Sequence, residues 1–199
     1  MKFIRLPVSE KATTVTYQPD ESVVNRLGFR SVHSLAGSLP PGAEVIDVGA
    51  GLSRLGHTVT ALRDDIHWTN FDIAYLPSET NPEVIKRLGV LAASAPENLK
   101  YLGGNILNPP QKLNEDYYDR IFSFWMLPHI VKNSGPRPGV VAAWNMINMG
   151  KPGGILTVGP LRSYGDNAQS FEIPDSQEKA RDLAARIVKP LQGSIWEDF

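Results

Sequence analysis

The 199-residue chain contains no cysteine. That one absence excludes a disulfide framework, a thiolate metal site and a cysteine nucleophile, and it removes redox chemistry as a guide to compartment. Long apolar runs are missing too. No stretch approaches the roughly 20 apolar residues that cross a bilayer, and the opening MKFIRLPVSEK lacks an apolar run of signal-peptide length. These absences give the expectation of a cytoplasmic protein with no membrane partner. Charge of one sign is also lacking: 20 Lys and Arg against 21 Asp and Glu leave a formal net charge of -1. No global field draws the chain to a polyanion, so no nucleic-acid partner is expected. What is present is 42% hydrophobic residues without internal repeats, enough for one core and a single domain over 1–199.

The stretch EVIDVGAGLS, Glu44 to Ser53, organises the rest. Alternating apolar residues and an acid run into two glycines separated by one small residue, and a helical pattern follows through Leu55, Val59 and Leu62. This reads as a strand, a tight turn and a helix start. Glycine admits positive φ and lets another molecule approach without a Cβ in the way, and the N–H groups opening the next helix are expected to face the same space.

Around it, residues 1–41 read as a lead-in followed by an amphipathic helix with Val32, Leu35, Ala36 and Leu39 on one face. A second strand runs from Ile66 to Phe71 and ends at Asp72, and Asn81-Pro82-Glu83 starts a helix with a capping side chain and proline at the first position. A third strand lies near Leu99 to Leu102, a fourth spans Asp119 to Trp125, and a fifth runs from Gly154 to Val158. Between the last two, Val140, Ala143, Trp144 and Ile147 form a helical face stopped at Gly150 and Pro152. The segment 160–174 is unpatterned and reads as a loop. A final helix opens with Asp175 placed three before Glu178, in the manner of a capping box, and residues 193–199 suffice for one last strand. Alternating strands and helices predict an α/β fold, a mostly parallel twisted sheet with helices on both faces.

A turn of this kind serves dinucleotides or S-adenosylmethionine. The dinucleotide fingerprint needs a third glycine three positions after the second, where this chain has Arg54, and it has no place for Asp47 ahead of the turn. With Asp47, Gly49, Ala50 and Gly51, then Asp72 ending the second strand, Asn105 after the third, YYDRIFSFWMLPHI over the fourth and GKPGGILTVGP into the fifth, the chain resembles the class I S-adenosylmethionine-dependent methyltransferases. The resemblance covers about residues 20–160 and implies a Rossmann-like fold with a cofactor-binding core at 42–160.

It further implies that Asp47, Gly49, Ala50 and Gly51 cradle the methionine end of S-adenosyl-L-methionine. Asp72 with Ile73 would take the ribose, and Gly104, Asn105 and Ile106 the adenine. Phe124 and Trp125 would wall the pocket at the carboxyl edge of the fourth strand. His129, in the loop after that strand, is where small-molecule members place a histidine near the acceptor, and an imidazole titrating near neutrality suits a general base. The reaction expected is methyl transfer to an O or N atom of a small molecule. Asp166-Asn167 lies beyond the strand end where a metal-binding pair belongs and has no clustered His or acids beside it, so no metal is expected.

The segment 161–199, with a loop, a helix and a short final strand, departs from the family, which ends with two more strands. That shortened end suggests a sheet edge covered by a second subunit, a homodimer. The rival reading is a methyltransferase-like module that binds the cofactor or a partner protein without catalysis, and a nicotinamide enzyme stands third.

Overall fold

The computed structural model describes residues 2–6, 19–76, 82–110, 113, 117–161 and 167–192. Along the chain come α1 (Asp20–Arg26), α2 (Val32–Ser38), β1 (Glu44–Val48), α3 (Leu55–Leu62), β2 (His67–Asp72), α4 (Pro82–Ala93), β3 (Leu99–Gly103), β4 (Tyr118–Phe124), α5 (Met126–Ser134), α6 (Pro136–Met149), β5 (Gly150–Gly159), β6 (Gln169–Glu172) and α7 (Gln177–Val188). Among the described residues six strands form one sheet in the order β3-β2-β1-β4-β5-β6. All neighbours are parallel except β6, which runs antiparallel to β5. No described helix is long and apolar enough to cross a membrane.

Strand alternation sends side chains to two separate cores. Val45, Trp68, Leu99, Phe122 and Phe124 face α1, α2 and α3 in one buried cluster, where Trp68 stacks on Phe122 at 5.7 Å between ring centroids. Ile46, Val48, Phe71, Ile121, Leu156 and Val158 face the opposite way into a larger cluster with α5, α6 and α7. Helix α6 lies at its middle and is buried continuously from Val141 to Met149, which is the signature of a helix covered on every side.

Helix α3 approaches the sheet through Gly56, and this explains a glycine that helix propensity alone would disfavour. A Cβ there would sit 2.7 Å from Trp68 Cδ1 and 2.9 Å from Leu99 Cδ1. Close helix–strand packing, which the dinucleotide fingerprint assigns to a glycine at position 54, is performed here two residues later. In an open helix Gly→Ala stabilises by about 1 kcal/mol. For Gly56→Ala the sign reverses: overpacking against a buried indole costs about 2 kcal/mol, read as a lower urea midpoint at unchanged m.

Four expectations are corrected. The unpatterned segment 160–174 contains β6, whose residues are mostly exposed and so carry no apolar alternation; pairing with β5, not pattern, makes it a strand. The antiparallel strand thus precedes the last helix and pairs with β5. The stretch after the fourth strand is helix α5, not a loop, because Pro128 falls in the first turn, where a missing N–H costs nothing. Finally, α7 is capped by Ser176, which accepts from Lys179 N, while Asp175 pairs with Lys179 Nζ at 3.0 Å. The capping residue expected at Asn81 and the strand expected at 193–199 lie outside the described residues.

Candidate functional site

The strand order reverses between β1 and β4, and the crevice beyond the carboxyl ends of such strands is where open α/β sheets bind ligands. The turn 49–53 sits there. Gly49 has φ +83° and Gly51 φ +53°, the left-handed region in which a side chain costs energy. Gly49 also faces the β4–α5 junction, where an added Cβ would lie 2.6 Å from Met126 Cβ.

The turn's own N–H groups are paired within the fold. Gly49 N donates to Phe71 O at 2.8 Å and Ala50 N to the same oxygen at 3.3 Å, because β1–β2 pairing continues past the end of β1. Gly51 N donates to Asp72 Oδ2 at 2.8 Å. Neighbouring groups of β2 thus take the donors of residues 49–51, and the side-chain charge beside the turn is negative.

Two carboxylates carry that charge. Asp47 is 7% exposed, and burial together with the neighbouring Asp72 carboxylate pushes its carboxyl up to about 7. Asp72 is also raised by burial, against the opposing hydrogen bonds from Ala74 N and Gly51 N. Those two bonds, at 2.7 and 2.8 Å, occupy one lone pair on each Asp72 oxygen and leave capacity for further donors. Among the described residues no Lys, Arg or His forms an ion pair with either acid. Two adjoining acids, one buried and one half-buried, are an electrostatic cost that a cationic ligand would offset.

Tyr75, in the 3₁₀ turn Ile73–Tyr75 after β2, is a site residue that sequence reading missed. Its hydroxyl donates to Gly51 O at 2.8 Å, so Asp72 and Tyr75 together hold both backbone groups of Gly51. Burial, then Asp72 and Asp47, hold its phenol well above the usual range, which keeps it a donor. Beside the acids, Asp47, Asn70 and Tyr101 share one register row across β1, β2 and β3. Asn70 accepts from Trp68 Nε1 at 2.9 Å, and the Tyr101 hydroxyl meets His57 Nε2 at 2.8 Å. A polar row inside a doubly covered sheet departs from the apolar norm for parallel strands.

After β3, Gly104 N donates to Asp72 O at 3.1 Å, which ties the end of β3 to the second acid. Asn105 turns its Oδ1 onto Leu107 N at 2.8 Å, closing an Asx turn, and Ile106 is buried with its side chain in the larger core. Across the crevice, Phe124 lies in the α1–α3 core and contacts Trp125 edge to face, with ring centroids 5.3 Å apart. Trp125 has φ +73°, uncommon for a bulky residue and concentrated at functional sites. Its N–H donates to Gly159 O at 2.7 Å, and the Arg26 guanidinium lies 5.6 Å from its ring centroid. His129, in the first turn of α5, has an exposed side chain. Partial desolvation, then the Lys132 ammonium, hold its imidazole below the usual histidine range. Among the described residues no three His, Cys, Asp or Glu side chains gather as a metal site would require.

Fold and site together define a doubly wound α/β sheet with an acidic ligand crevice at its switch point. Comparison with solved structures narrows the class. A chain from the complex of the Haloferax volcanii Trm112 methyltransferase activator with its partner protein is 15% identical, with a TM-score of 0.51 over 85% of this chain and 71% of that one. The [4+2]-cyclase SpnF is also 15% identical, with a TM-score of 0.51 over 85% of this chain and 54% of that one. A Galdieria sulphuraria protein described as a candidate sarcosine dimethylglycine methyltransferase is 19% identical over 70% of this chain at a TM-score of 0.44, and the present chain spans 44% of its length. No protein-family model and no curated protein matches the sequence. The chain has the class I methyltransferase fold.

Proposed function

We propose that the chain is an S-adenosylmethionine-dependent methyltransferase acting on an O or N atom of a small molecule. The observation that carries this reading is the acid pair of buried Asp47 and half-buried Asp72, neither ion-paired with a cation among the described residues, at a Gly-x-Gly turn of this fold. S-adenosylmethionine brings a sulfonium and an ammonium to such a site, whereas a dinucleotide brings anionic phosphates. Asp47, Gly49, Ala50 and Gly51 hold the methionine end; Asp72 and Ile73 take the ribose; Gly104, Asn105 and Ile106 border the adenine; Phe124 and Trp125 close the far wall. When bound, the cofactor supplies an electrophilic methyl group.

The chain's own part is alignment, exclusion of water and, where the acceptor carries a proton, its removal. His129 is the proposed base: with its imidazole held below the usual histidine range, it is neutral near pH 7 and able to accept a proton. The small-molecule preference draws its support from the near-zero net charge.

Calorimetry provides the test. S-adenosylmethionine and S-adenosylhomocysteine are expected to bind at about micromolar Kd, and Asp72→Ala to weaken both by about 10- to 100-fold, the value of losing charge-assisted hydrogen bonds. His129→Gln is expected to leave binding unchanged and to abolish methylation of phenol and amine acceptors. Binding of NAD in place of the sulfonium cofactor would overturn the reading. The alternative is a methyltransferase-like module that binds the cofactor or a partner protein without catalysis, since a fold does not dictate its chemistry. Tight binding without transfer to any acceptor would point to that non-methylating module.

A further inference from the structure

The adenine turn, residues 105–108, does not hold its shape alone. Within itself it makes an Asx turn, with Asn105 Oδ1 accepting from Leu107 N at 2.8 Å, and a backbone bond from Asn108 N to Asn105 O at 2.9 Å. The carbonyls of Ile106 and Leu107 point away from that turn and are satisfied from outside. Asn145 Nδ2, from α6, donates to Ile106 O at 2.7 Å. Leu6 N, from the N-terminal segment, donates to Leu107 O at 2.8 Å.

Asn145 makes the same segment fast. Its amide accepts from Ile4 N at 2.8 Å and donates to Ile4 O at 2.7 Å, which is the paired bonding an adjacent β-strand would offer. Two further α6 side chains, Trp144 through Nε1 and Asn148 through Nδ2, donate to Lys2 O, each at 3.1 Å. Asn145 is fully buried, while the Ile4 side chain is 43% exposed. The segment is therefore held here through its main chain rather than through the Ile4 side chain, and the two amide hydrogens of Asn145 are divided between the segment and the turn.

We infer that residues 2–6 belong to the cofactor site. Docked on α6, they fix the turn 105–108, and Asn145 is the positioning residue that joins the two. This rests on the adenine assignment made above. A buried amide left without Ile4 would have an unpaired acceptor and donor, and the turn would lose the Leu6 bond together with the registration of Asn145. Ordering of the segment and binding at the turn are thus coupled, and coupling is reciprocal: what the segment contributes to affinity, the ligand contributes to docking of the segment.

The experiment uses S-adenosylhomocysteine with the full chain and three variants, Asn145→Ala, Asn145→Gln and Ile4→Pro. The last removes one N–H donor beneath an exposed side chain and leaves α6 untouched, so it reports even where Asn145→Ala fails to fold. Each Kd is measured well below the thermal midpoint of its own variant. Asn145→Ala and Ile4→Pro are expected to weaken binding by about tenfold, within the usual range of coupling between sites, and Asn145→Gln to recover part of the loss. Saturating S-adenosylhomocysteine is expected to slow amide exchange at Ile4 and Leu6 of the unmodified chain by a matching factor. A merely structural segment would lower the midpoints and leave Kd and ligand-dependent exchange unchanged; that result overturns the inference alone. Failure of the unmodified chain to bind S-adenosylhomocysteine would remove the functional reading and this inference together.

Discussion

Asp47→Asn is expected to make the ligand-free protein more stable at pH 8 while abolishing high-affinity binding of S-adenosylmethionine. The carboxyl titrates at about 7 in the fold against an ordinary 3.8. The folded state therefore binds this proton more tightly than the unfolded chain does. The stability associated with it is fully present below pH 3.8 and is lost as pH rises through about 7. Relative to the asparagine variant, the unmodified protein should show no deficit near pH 4 and a deficit on the order of 4 kcal/mol at pH 8. For a chain of this length that is a thermal shift of roughly 10 °C. Binding should respond in the opposite sense. A cationic ligand prefers the ionised acid, so affinity in the unmodified protein rises with pH up to about 7, and the variant loses both the affinity and that slope. Scanning calorimetry and titration at pH 5 and pH 8 check the two halves. A variant no more stable than its parent at pH 8 would show that Asp47 is solvated or paired, and the electrostatic argument for a cationic cofactor would fall with it.

Gly49→Ala is expected to destabilise the fold by about 3 kcal/mol and to lower cofactor affinity beyond detection, for two separable reasons. A side chain at φ +83° carries a left-handed penalty of about 1–2 kcal/mol. The new Cβ also meets Met126 Cβ at 2.6 Å, an atom fixed to the backbone at the start of α5 that no rotamer change can withdraw, and overpacking of that kind costs about 1–3 kcal/mol. A double-mutant cycle with Met126→Gly separates the terms. The second substitution removes the steric part and leaves the conformational part, so the pair should show a coupling of about 1 kcal/mol or more. If Gly49→Ala proves neutral by urea unfolding, Gly49 is not held at positive φ against Met126, and the proposed role of the turn as a cradle falls.

The sequence by itself determined whatever depends on residues a few positions apart. The alternation in Glu44 to Val48, the glycine pair behind it, the apolar face of α6 and the acid at the end of β2 were legible as strand, turn, helix and strand-end acid because each signal is complete within one turn or a few strand residues. From these the parallel sheet and the placement of Asp47 and Asp72 at its carboxyl edge followed. Tertiary structure decided what depends on partners far apart in the chain. The four residues of β6, three of them exposed, became a strand only by pairing with β5. Gly56 is required by Trp68 and Leu99, Tyr75 reaches Gly51 from 24 positions away, and Asn145 reaches Ile4 across 141. The same holds for charge. An aspartate before a glycine turn is visible in any printed sequence, but its burial beside a second carboxylate arises only when β1 and β2 pair, because desolvation and Coulombic repulsion are properties of distance in space and not of distance along the chain.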